Sequence, residues 1–217
     1  MLYYGQKGIA MTLIKTMPWG FPDKPIEVSV DFLKDLDKHE SGEWIATFKH
    51  DGYRAVLDVR DKGFEILSPK TSKHPISDYL RERLKKFVSD NKFKNGTRVD
   101  MEWMARREAN INLLDHELLA TIGIMYLNGK RMASKKEEER WAFTQKLKYN
   151  EGVIPIESSD KNYVEFFEKS KSSMLYEGIV LKKKNSKMKL KLASAEDNSL
   201  WLKCKWRGGD SGLTTLE

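Results

Sequence analysis

The stretch Lys49-His50-Asp51-Gly52-Tyr53-Arg54 sits between two segments of strand character, and how it is read decides the rest of the chain. Upstream, Trp44, Ala46 and Phe48 alternate; downstream come Tyr53 to Val59 and, after a turn at Asp61-Lys62-Gly63, Phe64 to Leu67. With period two throughout, these three segments predict an antiparallel meander. Asp-Gly is foremost a turn signal, so Lys49 is expected at a strand end, projecting into whatever the sheets enclose. A free lysine titrates near about 10.4, so a nucleophilic lysine needs burial or neighbouring cations to shed its proton. The same hexapeptide also suits a solvated hairpin corner, and taken alone it does not choose between the two.

Working outward, the opening residues hold Pro18, Gly20, Pro22 and Pro25, which favour extended or irregular chain over helix. Between Ile76 and Val88, Tyr79, Leu80, Leu84, Phe87 and Val88 share one face at helical spacing and predict an amphipathic helix lying on a sheet. Strands are predicted over Arg98 to Ala105 and Leu118 to Leu127. A helix follows from Ser134-Lys135-Lys136-Glu137, which matches an N-terminal capping box, and another over Asn162 to Lys169. Strands resume at Gly178 to Leu181 and Leu200 to Lys205. Lysines 182 to 184, with Lys187, Lys189 and Lys191, read as a solvated hairpin arm, phosphate contact being the competing use. Strand runs broken by a few helices, without regular alternation, point to an α+β architecture with antiparallel sheets.

A chain of 217 residues with 40% hydrophobic content can bury a real core, and one compact domain plus a tail is expected. No run of about 18 apolar residues occurs, and no apolar signal core opens the sequence, so neither spanning nor secretion is indicated. The single cysteine, Cys204, cannot form an internal disulfide, which fits a reducing, cytoplasmic compartment. The net charge of +7 makes a polyanionic partner plausible.

Three further elements carry chemistry. Asp100 and Glu102 fall on one face of a strand, a costly arrangement unless that face is wet or binds cations. Tyr176-Glu177-Gly178-Ile179-Val180-Leu181 places an acid at the entrance of an apolar strand, where it can meet a divalent metal or simply solvent. Trp201-Leu202-Lys203-Cys204-Lys205-Trp206 puts two lysines on one face, suited either to phosphate or to guarding an edge strand.

The order and spacing of these four elements resemble the covalent nucleotidyltransferase superfamily of ATP-dependent DNA ligases, RNA ligases and mRNA capping enzymes. Lys49 to Arg54 satisfy its Lys-x-Asp-Gly-x-Arg nucleophile motif at every fixed position. Asp100 to Glu102 resemble its third motif, with Met101 where a small residue is usual; Glu177 to Leu181 resemble the fourth, and Lys203 to Lys205 the Lys-x-Lys of the fifth. Ser68 to Pro75 look like the loop after the nucleophile, with Lys70 where an arginine is common. Ile124 to Gly129 are similar to another family motif, and Ile122 stands where an aromatic commonly stacks on the base. Glu-Gly in the fourth motif and Trp-Leu-Lys-x-Lys in the fifth are more similar to DNA ligases than to capping enzymes.

The resemblance spans about Trp44 to Trp206 and implies antiparallel sheets enclosing a nucleotide cleft. It implies that Lys49 takes AMP from ATP and that AMP passes to the 5′-phosphate of nicked duplex DNA. Thr47 and Phe48 would lie beside the nucleotide, Arg54 and Glu102 would bind the ribose, and Lys203 and Lys205 would neutralise the α-phosphate. Glu177, with Glu102, would hold Mg2+, for which Mn2+ can stand in. Residues 1–207 would form the adenylation domain and 208–217 a flexible tail, with the C-terminal OB-fold domain usual in ligases absent. An RNA ligase, a capping guanylyltransferase and a nucleic-acid-binding module that has lost catalysis remain the alternatives.

Overall fold

A computed structural model describes residues 21–67, 76–104, 116–191 and 197–206. Period-two burial over Trp44–His50 (β3) puts Trp44, Ala46, Phe48 and His50 on one side and Ile45, Thr47 and Lys49 on the other. The next strand, Tyr53–Arg60 (β4), does not pair with β3. It begins a separate meander with Gly63–Leu67 (β5), Thr97–Met104 (β6), Leu118–Leu127 (β7) and Lys130–Arg131 (β8), in the order β5-β4-β6-β7-β8. Val153–Pro155 (β9) adds parallel to β7. The second sheet has the order β10-β3-β11-β13-β2, where β10 is Ser158–Ser159, β11 Tyr176–Lys183, β13 Asp197–Lys205 and β2 Lys24–Glu27. Only β2, parallel to β13, departs from antiparallel pairing there. A two-residue ladder joins Phe21–Pro22 (β1) to Leu190–Lys191 (β12).

The single predicted meander is therefore two sheets, and Asp51-Gly52 carries the chain between them. The Asp51 amide donates to the Leu175 carbonyl on one side, and the Gly52 amide donates to Glu102 at 3.2 Å on the other. A Cβ at residue 52 would lie 2.6 Å from the Trp103 carbonyl oxygen, so only glycine lets the crossing chain hug the meander.

Helices cover the outer faces. Val30–His39 (α1) and Tyr163–Ser170 (α4) bury Leu33, Leu36, Tyr163, Phe166 and Phe167 against Phe48, Ile179, Leu181 and Leu202. Asp37 of α1 caps α4, accepting from the amides of Tyr163 at 2.6 Å and Val164 at 2.8 Å. Asp78–Asp90 (α2) lays Leu80, Leu84 and Phe87 on Leu57, Val99, Met101 and Leu119 of the meander. Its Ser77 cap accepts from the Leu80 amide at 3.2 Å. Truncating a fully buried leucine such as Leu84 costs about 2–5 kcal/mol. Val56, Met125, Met188 and Trp201 pack together in a third cluster that joins the two sheets.

Several sequence expectations change. The proline-containing opening is extended at β1 and β2, but α1 follows at once and had no counterpart in the reading. Glu137–Thr144 (α3) starts two residues after the capping box read at Ser134, and Glu139 accepts from the Lys136 amide at 3.3 Å. The basic run is a solvated arm only in part: Lys187 and Lys189 are exposed, but Lys182 is buried, Lys183 pairs with Glu40 at 3.0 Å and Lys184 with Asp160 at 3.0 Å. Ile122 packs on the cluster that contains Phe48. The Ser68–Pro75 loop and the 208–217 tail lie outside the described residues. No helix among the described residues is long and apolar enough to cross a membrane.

Candidate active site

Strand register assembles the cleft. Gly178 of β11 is the Cα partner of both Lys49 on β3 and Lys205 on β13, so the two lysines flank it on the inner face. One step along, Val180 pairs with Thr47 and Lys203; a further step, Lys182 pairs with Ile45 and Trp201. Simple alternation would turn Glu177 toward the helices. A bulge between Tyr176 and Gly178, with Gly178 at φ +146, instead aims its carboxylate into the cleft. There Glu177 bridges two cations: one oxygen is ion-paired with the Lys49 ammonium, and the other lies 3.6 Å from Lys205 Nζ. A Cβ at Gly178 would collide with the Cys204 carbonyl oxygen, so bulge and strand contact both demand glycine.

The facing sheet contributes Arg54, Asp100 and Glu102. Arg54 pairs with Glu102 in register, but its guanidinium grips Asp100: Nε donates at 2.8 Å and Nη2 at 2.5 Å. Asp100 is fully buried, whereas the Arg54 side chain keeps 30% exposure and opens onto the cleft. Burial works against the Arg54 charge, yet Asp100, with Glu102 and Asp23 adding, more than offsets it and raises its pKa. Burial pushes the Glu102 carboxyl up to about 7, against the pull of the Lys49 and Arg54 cations. His50, next to Lys49 but turned to the core edge-on to Tyr176, is pushed down to about 4 by burial.

The structure thus brings Lys49, Glu177 and Lys205 into contact, with Arg54 and Glu102 opposite. Lys203 shares their face but pairs with Glu27 of β2 at 3.2 Å. Thr47 faces the cleft and its hydroxyl donates to the Val180 carbonyl at 3.3 Å. The Phe48 side chain does not reach the cleft: it stacks on Phe166 at 4.4 Å in the helical core, as the odd-even alternation of β3 requires. Asp100 as the partner of Arg54 was missed, although its parity with Glu102 was the available signal. Among the described residues no three His, Cys, Asp or Glu side chains converge as a metal cage. Two carboxylates, Glu102 and Glu177, suit a hard divalent ion that takes its remaining oxygens from water and phosphate.

No family model matches the chain, and no curated protein matches it in sequence. Solved structures match its fold. A mycobacterial DNA ligase D complexed with ATP and MES aligns with a TM-score of 0.62 at 15% identity, over 86% of this chain and 60% of that one. The bacteriophage T7 ATP-dependent DNA ligase in complex with ATP aligns at TM-score 0.55 and 15% identity, over 85% of this chain and 68% of that one. A Lig E DNA ligase aligns at TM-score 0.55 and 13% identity, over 84% and 67%. The chain therefore has the α+β fold found in these DNA ligases, and spans about 60% of the length of the ligase D chain.

Proposed function

We propose that this chain is the adenylating catalytic domain of an ATP-dependent DNA ligase, with Lys49 as the nucleophile. The observation that carries the reading is the convergence of Lys49, Glu177 and Lys205 on one sheet opposite the Arg54–Asp100 pair and Glu102 on the other. Lys49, Arg54, Glu102, Glu177 and Lys205 are spread over about 150 positions of the chain, and their proximity in the fold supports the reading.

Lys49 Nζ, once neutral, would attack the α-phosphorus of ATP. A P–N bond forms, the bond to the bridging oxygen breaks, and its electron pair leaves with pyrophosphate. The amine must first part from Glu177, so nucleotide entry is coupled to a change of partner for that carboxylate. Lys205, and Lys203 one step further along, would neutralise charge building on the phosphate; preplaced charge of this kind is commonly worth about 3 kcal/mol per group. Arg54, held flat by Asp100, would donate to the ribose hydroxyls and Glu102 would accept from them. Glu177 and Glu102 would hold magnesium, which would supply further charge neutralisation when bound. The AMP would then pass to the 5′-phosphate of nicked duplex DNA, and the adjacent 3′-hydroxyl would seal the strand.

Incubation with ATP and magnesium should raise the intact mass by one AMP, mapped to Lys49, and Lys49→Ala should carry no adduct. Adduct on the alanine variant would place the nucleophile elsewhere. No adduct on the wild type would favour a binding module, labelling by GTP a capping activity, and sealing of nicked RNA alone an RNA ligase.

A further inference from the structure

Behind the cleft, aromatic rings from β3, β11 and α4 form a continuous column. Phe166 stacks on Phe48 at 4.4 Å, Phe48 meets Tyr176 at 4.5 Å, and Tyr176 meets His50 edge to face at 5.0 Å. Phe48 and His50 are the two chain neighbours of Lys49, and Tyr176 immediately precedes Glu177. The Tyr176 ring therefore touches both residues that flank the amine, on the opposite face of the sheet from the Lys49–Glu177 ion pair.

The register gives that contact a use. Tyr176 pairs with His50 and Gly178 with Lys49, so two steps along β11 match one along β3, and Glu177 is the residue left over. Backbone bonds hold the bulge at both ends: the Leu175 carbonyl accepts from the Asp51 amide at 3.0 Å, and the Glu177 carbonyl accepts from the Trp206 amide at 3.0 Å. Neither bond selects which side chain faces the helices. With regular pairing from Gly178 onward, Glu177 would lie opposite His50, and its carboxylate would enter the aromatic slot beside Phe48, unpaired and away from water. A ring in that slot gains two aromatic contacts instead. With Tyr176 in the slot, only the cleft is left for Glu177.

We infer that Tyr176 is a positioning residue: by filling the slot between Phe48 and His50 it holds the bulge in register and aims the Glu177 carboxylate at the Lys49 amine. Its part in adenylation rests on the reading of Lys49 as the nucleophile, whereas the geometry it sets exists in the free protein.

The experiment labels the nucleotide-free protein with an acetyl N-hydroxysuccinimide ester at neutral pH and follows acetylation of individual lysines by peptide mapping. It compares wild type, Tyr176→Phe, Tyr176→Val, Glu177→Gln and the Tyr176→Val/Glu177→Gln double variant. An ammonium held by a carboxylate acylates slowly, and loss of that charge-assisted bond predicts about 10-fold faster labelling of Lys49 in both Glu177→Gln and Tyr176→Val. Tyr176→Phe keeps the ring and should stay within about 2-fold of wild type. The double variant should label no faster than Glu177→Gln, because the tyrosine acts through the glutamate. Lys183, on the same strand and paired with Glu40 at 3.0 Å, is the internal control and should be unchanged. A merely structural role would speed Lys183 along with Lys49, or multiply the two effects in the double variant. Either result overturns the inference, as does labelling of Lys49 at the wild-type rate in Tyr176→Val or in Glu177→Gln. If Tyr176→Val melts below the assay temperature, Tyr176→Leu takes its place in the same comparison. Intact mass after ATP is measured on the same samples; labelling needs no nucleotide, so absence of adduct on the wild type counts against the adenylation reading alone.

Discussion

Glu102 and His50 lie on opposite sides of the strand crossing and make opposite contributions to stability across one pH window. Glu102 rises from 4.5 to about 7 on folding, so its contribution is full below pH 4.5 and is lost as pH climbs to about 7. His50 falls from 6.5 to about 4, so its contribution is full above pH 6.5 and is lost as pH drops through about 4. At about 1.4 kcal/mol for each tenfold change in proton affinity, each shift is worth ~3 kcal/mol, and in the wild type the two largely cancel. Glu102→Gln leaves the histidine unopposed. Relative to wild type, its folding free energy by urea titration should rise by ~3 kcal/mol between pH 4.5 and 7.5. His50→Gln should do the reverse over the same range. A Glu102→Gln curve parallel to wild type within about 1 kcal/mol would refute the claim that folding desolvates this carboxyl.

Other consequences are quickly tested. Gly178→Ala should cost at least about 3 kcal/mol in denaturant titration, because its Cβ meets the Cys204 carbonyl at a φ that side chains rarely adopt; a loss under about 1 kcal/mol would deny the bulge its rigidity. Charge reversal at Lys205 should slow Lys49 adenylation by about 100-fold or more while circular dichroism is unchanged, and Lys203→Glu should do less because that lysine already shares Glu27; equal effects would contradict the geometry. Binding to nicked duplex DNA should weaken steeply as salt rises, and a flat response would exclude a phosphate-dominated contact.

The elements with strong pattern were legible from residues alone: α2 by its apolar stripe, β6 by alternation, β7 as an apolar run, and the shared face of Lys203 and Lys205. Long-range choices were not. Alternation across Lys49 to Arg54 is the same whether the chain turns within a sheet or crosses to another, and it took the tight fit of Gly52 against Trp103 to decide. Alternation also sends Glu177 to the wrong face, because a bulge leaves no mark in a period-two pattern beyond its glycine. Helix α1 was hidden by the prolines before it and by having only Leu33 and Leu36 deeply buried, although Ser29, accepting from the Phe32 amide at 3.2 Å, was a readable cap. Lys182 looked like part of a solvated run, since sequence shows charge but not which lysine a sheet turns inward.

The pairing of β3 with β11 has a consequence for synthesis on the ribosome. The strands β4 to β7 are consecutive, and their sheet can close as soon as they emerge. The strand bearing Lys49 emerges before them, yet both its sheet neighbours, β10 and β11, come later, and Lys49 meets Glu177 across 128 positions. At about 5–20 residues per second the nascent chain carries the Lys49 ammonium without its counter-charge for roughly 6–26 s, so a half-made polypeptide can close the meander but not the Lys49–Glu177 pair.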